Sequence, residues 1–290
     1  GEDRHASSYD VVWLKRHAYA PERTAWAEPT TNLSNVELQA ADFTDPDDLR
    51  HASLALVKRF GLALVRGYGL DTETLIELYG KSKLNVRGTH FGRIEDLRTD
   101  NTTNQNTDQL GYTNAAVELH TDQPFLPRPP EFQLLQSMRE ATQGGDNYLS
   151  DAKHAAFYLR SSDLQAYDLL TKIDVTFHRK QKAFEKSYVS PILSVHAGER
   201  FMVRYSYFTM APQRLSFELM GPWYEAYRQF AGLLNSPANQ YRFTLRAGDY
   251  VFYNNHRMVH AREAFSGPRW VRGIYFDTAQ EAGSPELAQK

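Results

Sequence analysis

The chain has 290 residues, of which 41% are hydrophobic, 23% charged and 13% aromatic, as in an ordinary globular protein and unlike a disordered chain. Its 33 basic and 35 acidic residues leave a net charge of −2, which gives no general attraction to nucleic acid or to anionic lipid. The sequence has no cysteine, which excludes disulfides, thiolate zinc sites, iron–sulfur clusters and a cysteine nucleophile. Any metal ion must therefore be bound by histidine and carboxylate.

The first 40 residues are rich in turn formers, and we expect residues 1–40 to form an arm that leads into a domain of residues 41–290. The domain opens with a predicted helix over residues 45–59, with Asp45 as its cap and Pro46 at its first position. The apolar runs are far shorter than the ~20 residues that cross a bilayer. We therefore expect a cytoplasmic protein with a small-molecule partner, no nucleic acid and no membrane.

Most of the remaining predicted elements are short strands separated by turns. The predicted strands are residues 61–67, 132–138, 148–150, 173–177, 201–208, 241–245, 250–253 and 269–277, and the further predicted helices are residues 71–84, 153–159, 162–170 and 216–234. No repeat is evident at any period. Many short strands with few helices favour a mainly β fold, closed or sandwiched, with helices flanking one side.

A polar segment lies just before the residues that carry chemistry. Residues 99–109 contain no apolar side chain that could anchor them, which predicts a mobile surface loop. A lid over the site is the alternative.

A histidine and an aspartate are separated by one residue at His120 and Asp122. In an extended strand, this spacing directs both side chains to the same face. The distal segment of residues 254–260 offers a third ligand at His260. A His, carboxylate, His set is typical of non-haem Fe(II) oxygenases, because it leaves positions open on the metal. A hydrogen-bonded surface pair is the alternative for His120 and Asp122.

Several further motifs, together with these residues, resemble a known family. The motifs are Tyr112-Thr-Asn, Glu118-Leu-His-Thr-Asp122-Gln-Pro124, Pro129-Pro-Glu-Phe-Gln-Leu-Leu135, Gly144-Gly-Asp146, Asn255-His-Arg-Met-Val-His260-Ala-Arg262, and Arg269 shortly before Gly273. Over residues 8–278 the sequence resembles the 2-oxoglutarate-dependent dioxygenases of the γ-butyrobetaine hydroxylase and trimethyllysine hydroxylase type, within the taurine-dioxygenase superfamily.

The resemblance implies a distorted double-stranded β-helix, or jelly roll, with Fe(II) bound by His120, Asp122 and His260. It also implies that 2-oxoglutarate and O2 are cosubstrates. Relatives carry a small N-terminal zinc module, and the resemblance implies that residues 1–40 are its remnant or the lead-in from it. A homodimer is compatible with the resemblance, although no sequence feature demonstrates one.

The resemblance implies that Arg269 pairs with the far carboxylate of 2-oxoglutarate. Asn147 stands near the position where the superfamily often has a threonine, and its amide can donate the same hydrogen bond. Arg272 is the rival to Arg269, and strand alternation does not decide which arginine faces the pocket. His256 shares strand parity with His260, and we expect it to lie farther from the metal or at the surface.

Betaine hydroxylases of this type hold a trimethylammonium group in an aromatic cage. The resemblance implies that Tyr112, Tyr275 and Phe91 stand at cage positions. The fourth cage position, a tryptophan in the γ-butyrobetaine enzyme, falls on Glu95. Gln109 stands where that family has an asparagine in contact with the acid end of its substrate.

The resemblance implies hydroxylation of an unactivated C–H bond in a small betaine-like zwitterion with an alkylated ammonium group, with release of succinate and CO2. Arg204 either pairs with an anionic substrate group or closes the barrel with a salt bridge. One alternative function is a taurine-like or amino-acid-tailoring oxygenase whose aromatic residues are only core. A second is a jelly-roll binding protein without catalysis.

Overall fold

The computed structural model describes residues 33–99, 109–182, 184–196 and 200–278. The predicted arm lies outside these residues as far as residue 32, and the predicted polar loop lies outside them from residue 100 to residue 108. Residues 33–40 belong to the folded structure, because Leu33 and Val36 are buried in the core.

The helices begin where the sequence provides caps. Asp45 and Asp71 each accept a hydrogen bond from a backbone N–H in the first turn of a helix, which satisfies a donor that has no partner within the helix. Asp151 and Asp163 do the same for two later helices. The α-helices in the described ranges are α1 (Pro46–Phe60), α2 (Thr72–Gly80), α3 (Ala152–Ser162), α4 (Leu164–Lys172) and α5 (Phe217–Asn235), and the short 3-10 helices are Leu33–Val36, Ala40–Asp42, Leu110–Tyr112 and Pro237–Asn239.

Strands make up most of the remaining regular structure. They are β1 (Glu37–Gln39), β2 (Leu62–Arg66), β3 (Leu84–Val86), β4 (Glu95–Arg98), β5 (Val117–His120), β6 (Phe132–Arg139), β7 (Gln143–Gly144), β8 (Asn147–Asp151), β9 (Val175–Gln181), β10 (Phe184–Ser190), β11 (Leu193–His196), β12 (Arg200–Val203), β13 (Gln240–Phe243), β14 (Tyr250–Asn254), β15 (Met258–Arg262), β16 (Phe265–Ser266) and β17 (Trp270–Thr278).

Two larger sheets organise these strands. A seven-stranded sheet has the order β1-β2-β14-β6-β17-β3, with β4 also paired to β17, and a four-stranded sheet has the order β13-β8-β15-β5. The hairpins β9-β10, β11-β12 and β7-β16 form separate two-stranded sheets. The two larger sheets share a buried core, in which Leu64 and Val271 of the first cluster with Leu149 and Met258 of the second.

Helices cover the outer faces of both sheets. The helices α1 and α2 pack on the seven-stranded sheet, where Leu75 clusters with Phe276. The helices α3, α4 and α5 pack on the four-stranded sheet, where Phe230 clusters with Val259 and Ala261. The protein is thus mainly sheet with flanking helices, but the expectation that helices flank only one side is wrong. No helix within the described ranges has both the length and the apolar character needed to cross a bilayer.

The predicted strand over residues 201–208 is too long, because β12 ends at Val203. Beyond that point the chain bonds to the turn that follows β5. The Tyr205 carbonyl accepts from the N–H of Thr121 at 2.7 Å, and the Thr121 hydroxyl accepts from the N–H of Tyr205 at 3.1 Å. These contacts bring the two turns together at one end of the four-stranded sheet.

Candidate metal site and active-site cavity

Three predicted ligands lie together at the inner face of the four-stranded sheet, two on its strands and one in the turn after β5. His120 of β5 and His260 of β15 are directly opposite each other in the strand register, and their ring centroids are 4.2 Å apart. Asp122 Oδ1 lies 3.3 Å from His120 Nε2 and 3.9 Å from His260 Nε2. The three ligand atoms lie within 4.8 Å of one another, so one metal ion can contact all of them.

The turn after β5 places Asp122, which corrects the expectation that strand alternation does so. The strand ends at His120, and Gln123 has a positive φ of 56°. The side chain of Asn255, which is fully buried, accepts from the Asp122 N–H at 2.8 Å and donates to the Asp122 carbonyl at 3.1 Å. It also donates to the Pro130 carbonyl at 2.9 Å. Asn255 thus fixes the turn that carries the carboxylate.

The hydrogen bonds and charges around the three side chains suit a divalent cation. His120 Nδ1 lies 2.8 Å from the Glu118 carbonyl oxygen, a contact that places a proton on Nδ1 and directs Nε2 toward Asp122. Burial, together with the neighbouring His120, lowers the pKa of His260 to about 3. Burial opposes ionisation of Asp122, but the two histidines and the Tyr275 hydroxyl outweigh it and hold the pKa of Asp122 well below its usual range. Two imidazoles and one carboxylate form a ligand set that fits Fe(II).

The three ligands line a cavity of about 860 Å³, counting the solvent at its mouth. Most of the residues expected to bind 2-oxoglutarate or substrate line it directly. They are Phe91, Glu95, Gln109, Asn147, Arg269 and Tyr275. Tyr112 instead reaches the cavity wall through Glu95.

The structure separates the two rival arginines. Arg269 is 8% exposed and lines the cavity. Arg272 lies on the opposite face of β17, where it donates to Asp96 at 3.2 Å and to the Thr72 hydroxyl at 2.9 Å. The expectation that Arg272 can hold 2-oxoglutarate is therefore corrected. Side chains alternate along β17. Tyr275 faces the cavity, and even-numbered residues such as Arg272 face the helices α1 and α2.

The end of the cavity near Arg269 is built for an anion. Among the described residues, Arg269 has no hydrogen-bond or ion-pair partner, and burial lowers its pKa to about 9, with a further contribution from Arg262. Arg262 also lines the cavity and donates to the carbonyls of Thr113 and Ala115. Asn147, 5% exposed, lines the same cavity. Two buried guanidinium groups make this end of the cavity attractive to a carboxylate.

Glu95 is a carboxyl group within the cavity wall. It is 4% exposed, and its Oε1 accepts from the Tyr112 hydroxyl at 3.1 Å and from Gln109 Nε2 at 3.3 Å. Burial, with the negative charge of Asp122, raises the pKa of Glu95 to about 8.

Tyr275 joins the cavity wall to the metal site. Its hydroxyl donates to Asp122 Oδ2 at 2.7 Å, and its side chain is 3% exposed. Phe91 lies on the cavity wall as well, with its ring 3.8 Å from that of His90. Tyr275 therefore orients a metal ligand in addition to offering an aromatic ring to the cavity.

Arg204 does not reach the cavity, so its expected role as a substrate contact is wrong. Its guanidinium donates to the carbonyls of Pro124 and Leu126, both at 2.6 Å, and of Pro127 at 2.8 Å. The turn after Asp122 leaves these carbonyls without strand partners, and Arg204 satisfies them. His256 is also outside the metal site, since its Nε2 lies 3.0 Å from the Pro129 carbonyl oxygen.

Sequence reasoning missed Arg179 and Gln181, which project from β9 into the cavity. The Arg179 guanidinium lies 5.4 Å from the centre of the Phe208 ring, and that ring lies 5.3 Å from the ring of His120. Arg179 and Gln181 are two positions apart, so a strand directs both side chains to one face, and this was the available signal. It does not show that the β9-β10 hairpin folds over the cavity.

A histidine, carboxylate, histidine set beside a cavity with buried arginines defines the site of a non-haem iron oxygenase. The family model for the taurine catabolism dioxygenase TauD, TfdA family matches residues 26–275. The chain belongs to this family, and it is a 2-oxoglutarate-dependent non-haem iron dioxygenase.

Known relatives agree with this assignment. The chain is 29% identical to dioxygenase str8 of Strobilurus tenacellus, over 94% of this chain and 69% of that protein. It is 29% identical to the gamma-butyrobetaine dioxygenase of Pseudomonas sp. (strain AK-1), over 95% of this chain and 74% of that protein. Among solved structures, the non-heme iron oxygenase OrfP matches with a TM-score of 0.63 at 18% identity, over 84% of this chain and 83% of that chain.

Proposed function

We propose that this dioxygenase hydroxylates an unactivated C–H bond of a small zwitterion that carries an alkylated ammonium group. The observation that carries the proposal is the cavity wall beside Asp122, where the Glu95 carboxyl lies together with the aromatic side chains of Phe91 and Tyr275. A carboxyl group and aromatic faces are both suited to a cationic head group. Arg179, elsewhere on the wall, is suited to the acid end of the same molecule.

Different residues of the chain would bind the metal, the cosubstrate and the substrate. Fe(II) and 2-oxoglutarate, when bound, supply the oxidation of the substrate C–H bond by O2, with succinate and CO2 as co-products. His120, Asp122 and His260 would hold the metal, while Arg269 would hold the far carboxylate of 2-oxoglutarate with help from Asn147. The remaining cavity wall would orient the substrate and exclude water.

Two further points support this proposal. Relatives with similar sequences are named gamma-butyrobetaine dioxygenase and trimethyllysine dioxygenase. The facing sheets, and the similarity to oxygenases such as asparagine oxygenase, which has a TM-score of 0.61 at 15% identity, support the distorted double-stranded β-helix as the detailed fold.

Substrate-dependent release of succinate from 2-oxoglutarate tests the proposal. We expect carboxylates with an N-methylated ammonium group to raise succinate release well above the substrate-free rate. Phe91→Leu should raise the KM for that substrate and leave the KM for the cosubstrate unchanged. Stimulation by taurine alone, with no response to any N-methylated compound, would instead support the taurine-like alternative.

A further inference from the structure

Glu95 leaves one carboxyl oxygen available inside the cavity. Its Oε1 accepts both hydrogen bonds that the group receives, from Tyr112 and from Gln109. Within the described residues, no donor reaches Oε2 and no lysine or arginine forms an ion pair with Glu95. The residue as a whole is 4% exposed. Because Glu95 lines the cavity, Oε2 is an acceptor that a bound molecule can reach.

A substrate bound in the cavity can supply a donor to Oε2. Glu95 lies opposite Gly273 in the register of β4 and β17, and Tyr275 follows on the same face of β17. Glu95 and Asp122 line the same cavity, so the carboxyl is close to the metal site. A group bound to Oε2 would therefore stand within the cavity, beside the ring of Tyr275.

We propose that Glu95 selects substrates whose ammonium group keeps at least one N–H, so that a dimethylated ammonium is preferred to a trimethylated one. A protonated amine with an N–H can donate a charge-assisted hydrogen bond to Oε2. A quaternary ammonium offers only methyl groups, so it keeps the charge attraction but leaves Oε2 without a donor. This inference rests on the proposed function, because it assumes that the cationic end of a zwitterion occupies this wall.

The aromatic neighbours are consistent with N-methyl groups on the remaining positions. Phe91 and Tyr275 line the cavity with Glu95, and their faces attract a cation without needing an N–H. Without substrate the pKa of Glu95 is about 8; a bound ammonium cation would lower it, so that the carboxyl releases its proton to solvent and Oε2 accepts from the substrate N–H.

A series of four-carbon amino acids tests the selection directly. The probes are 4-aminobutanoates that carry one, two or three methyl groups on nitrogen and share the same carbon chain. Their binding to protein loaded with Fe(II) and 2-oxoglutarate is measured by calorimetry without O2, and their turnover is measured separately by succinate release. We expect the wild type to bind the dimethyl compound about tenfold more tightly than the trimethyl compound.

Two variants show whether Glu95 causes the preference. Glu95→Gln should reduce the ratio of the two dissociation constants to about one, because the neutral amide is a weaker acceptor. Asp96→Asn is the matched control, since Asp96 lies on the opposite face of β4 and pairs with Arg272, and the ratio should persist in it.

The outcomes separate the inference from the proposed function. Equal or tighter binding of the trimethyl compound, a ratio that survives in Glu95→Gln, or no binding of any member at millimolar concentration would overturn the inference. If the binding ratio is found but no member stimulates succinate release, the selection by Glu95 stands and the proposed reaction on these compounds is contradicted.

Discussion

The side-chain amide of Asn255 forms hydrogen bonds with both backbone polar groups of Asp122, at 2.8 Å to the N–H and at 3.1 Å to the carbonyl. Asn255 belongs to the turn between β14 and β15, and His260 follows it on β15. A single buried amide thus joins the turn that carries one metal ligand to the strand that carries another.

Replacement of Asn255 should weaken metal binding. Asn255→Ala leaves the Asp122 turn without its two bonds, and we expect the Fe(II) affinity to fall by about 10- to 100-fold and the free energy of unfolding by about 1–3 kcal/mol. Anaerobic Fe(II) titration and urea unfolding measure the two effects. Gln136→Ala is the control, because Gln136 is a fully buried amide bonded to Thr72 and Gly69 on the helix side. An equal loss of Fe(II) affinity in both variants would contradict a positioning role for Asn255.

Arg269, just before β17, and Arg272, within it, offer a matched pair of arginines that face opposite sides. Arg269→Met should raise the KM for 2-oxoglutarate by about tenfold or more, because a charge-assisted pair with its far carboxylate is lost. Arg272→Met should leave that KM unchanged, since Arg272 bonds to Asp96 and Thr72. Steady-state kinetics with varied 2-oxoglutarate measures the KM in both variants. A larger increase of this KM in Arg272→Met than in Arg269→Met would show that Arg272, and not Arg269, faces the cavity.

The hydroxyl of Tyr275 is expected to act through Asp122. Tyr275→Phe keeps the ring but removes the 2.7 Å hydrogen bond to Asp122 Oδ2, and we expect the Fe(II) affinity to fall by about tenfold. Tyr250→Phe removes a buried hydroxyl paired with Tyr79 at 3.0 Å on the helix side of the sheet and serves as the control. Unchanged Fe(II) binding in Tyr275→Phe would mean that the hydroxyl contributes nothing to the ligand set.

Glu95 should make the stability of the metal-free protein depend on pH. Its pKa is about 8 in the folded protein against an ordinary value of 4.5, so between these values the folded state holds a proton that the unfolded state has lost. The free energy of unfolding therefore falls as the pH rises, by up to about 1.4 kcal/mol per pH unit. Glu95→Gln should lack this slope, so its free energy of unfolding should increase relative to that of the wild type between pH 5 and pH 8.

Urea unfolding of both proteins across this pH range measures the difference. Glu73→Gln, at an exposed carboxylate paired with Arg93, controls for the substitution itself. Parallel curves for the wild type and Glu95→Gln would show that Glu95 keeps the same charge in both states.

Features with local signals could be predicted from the sequence. The helix α1 begins where Asp45 and Pro46 predict, because a cap acts within one turn of the chain. The three metal ligands can be predicted together because the segments that carry them match family motifs. The structure brings these ligands within 4.8 Å of one another.

The remaining features depend on contacts between distant segments. The sequence leaves Arg204 as either a substrate contact or a salt bridge that closes the barrel, but β12 ends just before it and its guanidinium satisfies the carbonyls of the turn after Asp122. Arg179 was missed, because only the folded position of the β9 hairpin places it on the cavity wall. Asn255 bonds to a turn 133 positions away in the chain, and no local pattern indicates such a contact.

The most direct test of the account is anaerobic addition of Fe(II) and then 2-oxoglutarate, followed by visible absorption of the metal chelate. We expect a weak charge-transfer band in the wild type, loss of the band in His120→Ala and in His260→Ala, and a band in Arg269→Met only at higher 2-oxoglutarate concentration. The Arg272→Met variant should match the wild type. A band that survives removal of either histidine, or no band in the wild type, would contradict the assignment of His120, Asp122 and His260 as the iron ligands.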